Sequence, residues 1–182
     1  MTAIGVVNGP GGLAIGADSC VTRGPSRYLS DGKLVLSGPW AFAVAGAQEA
    51  AEWLRHHRPG QEHDEGAAEY VRRIGPLLRA WMSGCGQPGE PRGAAVLIAH
   101  CDGATWELDT VSGVPFLCHG CTGHGDSSAV EAAFRAARPW RQTNHEALRD
   151  ALEACADVCP SVCHPIRVAT WSTERGEWEV QP

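Results

Sequence analysis

The first twenty residues, MTAIGVVNGPGGLAIGADSC, constrain the fold more than any other stretch of the chain. Two apolar, strand-compatible runs, 3–7 and 13–17, flank Asn8-Gly9-Pro10-Gly11-Gly12. Glycine supplies the positive φ of a tight reversal and proline cannot continue a ladder, so the chain must turn back on itself as an antiparallel hairpin. The pattern repeats at 33–37 and 40–45 around Ser37-Gly38-Pro39, so four strands are expected before any helix.

Helical spacing begins at Ala47, with Ala50, Ala51 and Leu54 on one face until Arg58-Pro59-Gly60. A second helix is expected over 64–82, with Ala67, Val71, Ile74, Leu78 and Trp81 in one stripe and a kink at Gly75-Pro76. The Gly- and Pro-rich 83–92 reads as a loop, and strands are expected at 93–100, 104–109 and 114–118. Ser128 with Glu131, and Thr143 with Glu146, have capping-box spacing and predict two further helices. A closing hairpin, 166–171 with 177–180, turns at Thr173-Glu174-Arg175-Gly176. Strand runs interleaved with helix pairs, without strict βαβ alternation, predict an α+β layered fold with antiparallel sheets.

At 182 residues and 43% hydrophobic content the expectation is one domain over 1–182. A net charge of −6 with scattered arginines argues against nucleic-acid or anionic-membrane partners. The start lacks the basic segment and apolar core of a signal peptide, which predicts a cytoplasmic protein whose eight cysteines are reduced.

Three residues stand out for chemistry. If Met1 is removed, Thr2 carries an α-amine whose unperturbed pKa is about 7.7–8.0, able to accept the proton of its own hydroxyl. Lys33 is the only lysine beside fourteen arginines. A buried lysine is a compact cation that can lower the pKa of a neighbouring amine, which an arginine's planar fork is poorly shaped to do. Asp18 ends the second hairpin strand, so antiparallel pairing returns its carboxylate to the end where Thr2 begins, and it could orient Lys33. Each has an ordinary reading too: a strand-starting threonine, a surface lysine and a turn-forming aspartate.

Taken together, TAIGVV, GLAIGADS, DGKLV, FAVAGAQEA, TGHGDSSAVEAAFRAA and ALEACADVC resemble, in order and near-family spacing, the proteasome β-type subunits of the N-terminal nucleophile hydrolase superfamily, above all the HslV-type peptidases. The resemblance implies a four-layer αββα sandwich and a threonine endopeptidase in homo-oligomeric stacked rings, cleaving unfolded polypeptides fed by an AAA+ ATPase, with no cofactor. Carried over by position, it implies Thr2 as nucleophile and base, Asp18 and Lys33 as electrostatic partners, the Gly46 amide as oxyanion donor, and Asp157 as support for the amine. Val44 and Ala47 would line an apolar, uncharged pocket for the residue before the scissile bond. Two departures bear on activity: Lys33 lies one residue closer to Asp18 than is usual, and His124 stands between Gly123 and Gly125 where the family has serine. The histidine could bond the amine or block the site. Asp126, Ser127 and Ser128 also fit helix N-caps.

Two other readings remain open on the residues: an inactive ring or scaffold subunit, and a superfamily member acting on a small amide. Cys118-His119-Gly120-Cys121 suggests metal or redox chemistry, but a second CxxC or a suitably spaced His pair is missing, so no metal site is expected. Cys155 and Cys159 read as core, and His56, His57 and His63 as a solvated loop.

Overall fold

The computed structural model describes residues 2–23, 26–57, 65–85, 92–125 and 143–181. Strands β1 (Ala3–Gly9) and β2 (Gly12–Ala17) form the expected hairpin, in register from Ile4 opposite Ala17 to Gly9 opposite Gly12. Both strands are apolar at consecutive positions because both of their faces are covered. Ile4, Val6 and Ile15 point into one core, while Ala3, Val7 and Ala14 point into another.

Next come β3 (Cys20–Arg23) and β4 (Ser26–Leu29), a separate two-stranded sheet that the sequence reading did not anticipate. Six strands, not four, therefore precede the first helix. Their composition, CVTR and SRYL, has too few apolar residues to show a period. A 3-10 turn, Asp31–Lys33, follows; the Ser30 hydroxyl caps it by accepting from Gly32 N at 3.1 Å. Strands β5 (Leu34–Ser37) and β6 (Trp40–Gly46) form the second hairpin, with Gly38 at φ +54°.

Helix α1 (Gln48–His56) ends as expected, while α2 (Ala67–Cys85) runs through Pro76 and into the first residues of the predicted 83–92 loop. Gly75 lets α2 approach Gly113 closely: a Cβ there would sit 2.3 Å from the Gly113 carbonyl oxygen. The remaining elements are β7 (Ala94–His100), β8 (Thr105–Asp109), β9 (Pro115–Cys118), β10 (Cys121–Gly125), α3 (Asn144–Val158), β11 (Arg167–Ser172) and β12 (Glu177–Gln181). The Thr143 and Glu146 capping box opens α3, with Glu146 accepting from Thr143 N at 2.9 Å. The helix expected after Ser128 lies outside the described residues.

The strands assemble as β10-β1-β2-β11-β12 and β5-β6-β7-β8-β9, all neighbours antiparallel. Three cores fix the layering. Ile4, Ile15, Ala43 and Leu97 fill the space between the sheets. Phe42, Leu54, Ile74 and Ile98 join α1 and α2 to one sheet, and Leu148, Leu152 and Val168 join α3 to the other. The α+β, helix-sheet-sheet-helix expectation is what the chain folds into. β10, whose glycine-rich sequence reads as a turn, is the edge strand of the sheet that holds β1 and β2.

Candidate active site

The β1–β2 register places the start of one strand beside the end of the other. Asp18 N donates to the Ala3 carbonyl at 3.0 Å, and Ala3 N returns a bond to Asp18 Oδ1 at 3.0 Å. Lys33 enters from the 3-10 turn. Its Nζ donates to Thr2 Oγ1 at 2.7 Å and to Asp18 Oδ1 at 2.8 Å. The three residues that the sequence singled out thus meet, and all are buried: Thr2 is 7%, Asp18 2% and Lys33 6% exposed.

A buried charge persists only when paired and hydrogen-bonded. The Asp18 carboxylate meets this condition fully, since Oδ2 accepts from Cys20 N at 2.9 Å and Cys163 N at 3.3 Å while Oδ1 takes Lys33 and Ala3. Desolvation lowers the Lys33 pKa below the ordinary lysine value, and Asp18 opposes that fall. The result is a cation held against the Thr2 hydroxyl, able to stabilise an alkoxide there and to part with a proton more readily than a solvated lysine.

Gly46 adopts φ +99°, and a Cβ on it would lie 2.6 Å from the Gly93 carbonyl oxygen, so both conformation and space require glycine. Gly46 and Thr2 together line two cavities. The first, about 350 Å³, runs to Ala95, Asp109, His124 and Gly125. The second, about 560 Å³, is lined by Val44 and Ala47 and also by Glu49, Glu52 and Arg92. Helix α1 thus brings glutamates into a cavity that Val44 and Ala47 also line. Arg92 pairs with Glu49.

His124 is opposite Ile4 in the β1–β10 register, and Gly125 is opposite Ala3. Its side chain is 46% exposed, with Nδ1 3.3 Å from Glu107 Oε1. It shares a cavity with Thr2 and makes no hydrogen bond to it. Asp157 is exposed on α3 and lines neither cavity, so the structure does not bring it to the cluster. Asp126, Ser127 and Ser128 lie outside the described residues.

Sequence reasoning missed three contributors. Cys20 follows Asp18 by two residues, the spacing of an aspartate turn, which is a usable signal. Cys163 is 145 positions from Asp18 and carried none. Glu107 alternates with core residues on β8 and looked like an ordinary solvent-facing position. Among the described residues, no group of three or more His, Cys, Asp or Glu side chains converges as a metal site. Cys118 and Cys121 end β9 and begin β10, and His57 stacks on Trp53. Among the described residues no helix is long and apolar enough to cross a membrane.

No family model matches the chain, and no curated protein matches it in sequence. Solved structures do match in fold. The BPH protein of Thiobacillus denitrificans, in complex with epoxomicin, superposes with a TM-score of 0.72 at 18% identity, covering 91% of this chain and 96% of that one. Anbu, the ancestral beta-subunit, from Yersinia bercovieri gives 0.73 at 14%, covering 98% and 86%. Anbu from Hyphomicrobium sp. strain MC1 gives 0.72 at 14%, covering 99% and 85%. The chain has the proteasome-like fold of N-terminal nucleophile hydrolases.

Proposed function

We propose that the chain is a threonine-type endopeptidase whose Thr2, exposed by removal of Met1, is both nucleophile and base. The observation that carries this reading is Lys33 Nζ at 2.7 Å from Thr2 Oγ1 and 2.8 Å from Asp18 Oδ1 in a buried setting. Thr2 Oγ1 accepts from Lys33, which leaves its own proton free to pass to the α-amine. The oxygen then attacks a peptide carbonyl, the Gly46 amide supports the developing oxyanion, and the amine protonates the departing nitrogen. Water activated by the same amine hydrolyses the ester. His124 and Asp109 line the first cavity and are further side chains able to carry a proton beside Thr2.

The proteasome-like fold supports assembly of this chain into homo-oligomeric stacked rings that enclose Thr2. In such a ring the substrates are unfolded polypeptides, and an AAA+ ATPase unfoldase is the partner that supplies them. A cytoplasmic setting suits that partnership. Two observations favour the rival reading, a ring or scaffold subunit without activity: His124 lacks a bond to Thr2, and Asp157 is remote from the cluster. The small-amide variant of the superfamily differs from both by acting as a monomer.

One experiment separates these readings. The purified protein is reacted with a peptide epoxyketone, a probe suggested by the epoxomicin complex of the BPH neighbour, and the adduct is mapped by mass spectrometry. The peptidase reading expects Met1 to be absent and the adduct to sit on Thr2, abolished by Thr2→Ala. Retention of Met1, or labelling elsewhere, overturns it. Size-exclusion chromatography separates ring from monomer.

A further inference from the structure

The Asp18 carboxylate is held from behind by two cysteines. Cys20 N and Cys163 N both donate to Oδ2, at 2.9 and 3.3 Å, and Ser19 N donates to the Cys163 carbonyl at 3.3 Å. These bonds tie the start of β3 to the segment between α3 and β11. Sharing one carboxylate oxygen brings the two cysteines' backbones side by side, and the neighbouring Cys20 is among the groups that raise the Cys163 pKa. Cys20 is buried and lines the second cavity beside Thr2, whereas Cys163 is partly exposed. The proposed reaction uses neither sulfur, yet both sit one residue's reach from the buried charge pair.

We propose that Cys20 and Cys163 are a thiol–disulfide pair, oxidised by hydroperoxides, whose closure resets the Asp18 cradle and so the position of Lys33. Cys163, the accessible member, loses its proton and its thiolate attacks the O–O bond of ROOH, giving a Cys163 sulfenic acid and, after protonation of the alkoxide, ROH. The Cys20 sulfur then attacks the sulfenic sulfur and expels hydroxide, which leaves as water with the Cys20 proton. Two thiols are oxidised by two electrons and one hydroperoxide is reduced to ROH and water.

Closure has a direct geometric consequence. A disulfide requires sulfurs about 2.05 Å apart, so closure must draw two free thiols and the segments that carry them together. Cys20 begins a strand and is fixed, so the irregular Cys163 segment must move. Its bond to Oδ2, at 3.3 Å the longest on the carboxylate, is the first to change. Burial, the neighbouring Cys20 and the Asp18 charge all raise the Cys163 pKa, so oxidation is slow at neutral pH and accelerates as pH rises.

The effect on Thr2 rests on the peptidase reading; the chemistry of the pair does not. The test treats the full-length protein with hydrogen peroxide and reads three quantities: the cross-linked peptide by mass, the carbon-13 signal of Lys33, and the rate of epoxyketone labelling at Thr2. Because Lys33 is the only lysine, lysine-specific labelling gives a single resonance. The expected result is a Cys20–Cys163 cross-link with loss of two hydrogens, a shifted Lys33 signal, and labelling slowed at least about tenfold, all reversed by dithiothreitol. In Cys163→Ser, which keeps the backbone donor, peroxide should change none of these; Cys20→Ala gives the same answer should that variant fold poorly. Sulfenic or sulfinic acid on Cys163 without a cross-link overturns the proposal, as does a cross-link that leaves the Lys33 signal unmoved. If Thr2 is unreactive even when reduced, the peptidase reading fails while the cross-link and the Lys33 signal still decide the pair.

Discussion

The buried end of the β1–β2 hairpin and the neighbouring strand β10 both border the same cavity, under very different constraints. At the hairpin end, Asp18 takes four hydrogen bonds and Lys33 is 6% exposed. On β10, the side chain of His124 is 46% exposed, with Nδ1 3.3 Å from Glu107 Oε1. Displacing a group in the first region leaves a buried charge or an unpaired donor behind; displacing His124 leaves a place for water. The hairpin end therefore admits few residue types, and the edge strand can carry a histidine in place of a small residue without a change of fold.

The sharpest way to break the comparison is Lys33→Ala. It strands the Asp18 carboxylate with no cation, and breaking a buried pair typically costs about 3–5 kcal/mol. Labelling of Thr2 should fall by a factor of about 10² or more, since the preorganised cation that stabilises the Thr2 alkoxide is gone. Chemical denaturation and labelling kinetics on one preparation check both. A variant that keeps its stability would show the hairpin end to be no more constrained than the edge.

Gly46→Ala follows in size. A side chain at φ +99° is strained, and its Cβ would press on the Gly93 carbonyl. The expected loss is about 1–3 kcal/mol, with slower labelling as the amide turns from the cavity. Asn144, buried at the start of α3 and donating to the Gly12 carbonyl at the β1–β2 turn, is a useful control: Asn144→Ala should destabilise without slowing the labelling of what remains folded.

The charge pair makes a pH prediction whose sign can be worked out. Desolvation lowers the folded Lys33 pKa below 10.5, with Asp18 opposing. Between the folded pKa and 10.5 the unfolded chain holds a proton that the folded chain has lost, so the Lys33 contribution to stability rises with pH across that window. Below it both states are charged and the full cost of burying the cation is present. The carbon-13 titration of the single lysine should show a midpoint below 10.5, and labelling of Thr2 should weaken as that proton leaves. Asp18→Asn removes the opposing charge and should lower the midpoint further; an upward shift would sink the assignment of cause.

What the sequence disclosed follows the same division. Thr2, Asp18 and Gly46 belong to long apolar strands with glycine turns, whose period and reversal read directly from residue types, and Lys33 announced itself by being the only one of its kind. The short β3 and β4 had no period to read, and β10, with its two glycines and a histidine, looked like a turn because an edge strand needs little apolar patterning. Cys163 reaches Asp18 across 145 positions, a tertiary meeting that no local signal encodes. The glutamates of the larger cavity were hidden for another reason. Helix α1 turns Ala50, Ala51, Trp53 and Leu54 into the core, and an amphipathic helix says which face is buried, not what its solvent face overhangs.

The smallest effect belongs to His124. Its ion pair with Glu107 joins two partly exposed groups, and such pairs contribute about 0–1 kcal/mol. His124→Ser should therefore leave stability within about 0.5 kcal/mol, the range of an ordinary surface substitution. Labelling of Thr2 distinguishes the remaining roles. If the imidazole only flanks the cavity, the serine variant labels within about threefold of the parent, and Glu107→Gln is equally silent. If it relays a proton to the Thr2 amine, both variants slow labelling by more than that. Faster labelling in the serine variant would mean that the ring obstructs the site. Among these outcomes the geometry favours the first, since Nδ1 of the imidazole lies 3.3 Å from Glu107 Oε1 and the ring makes no hydrogen bond to Thr2.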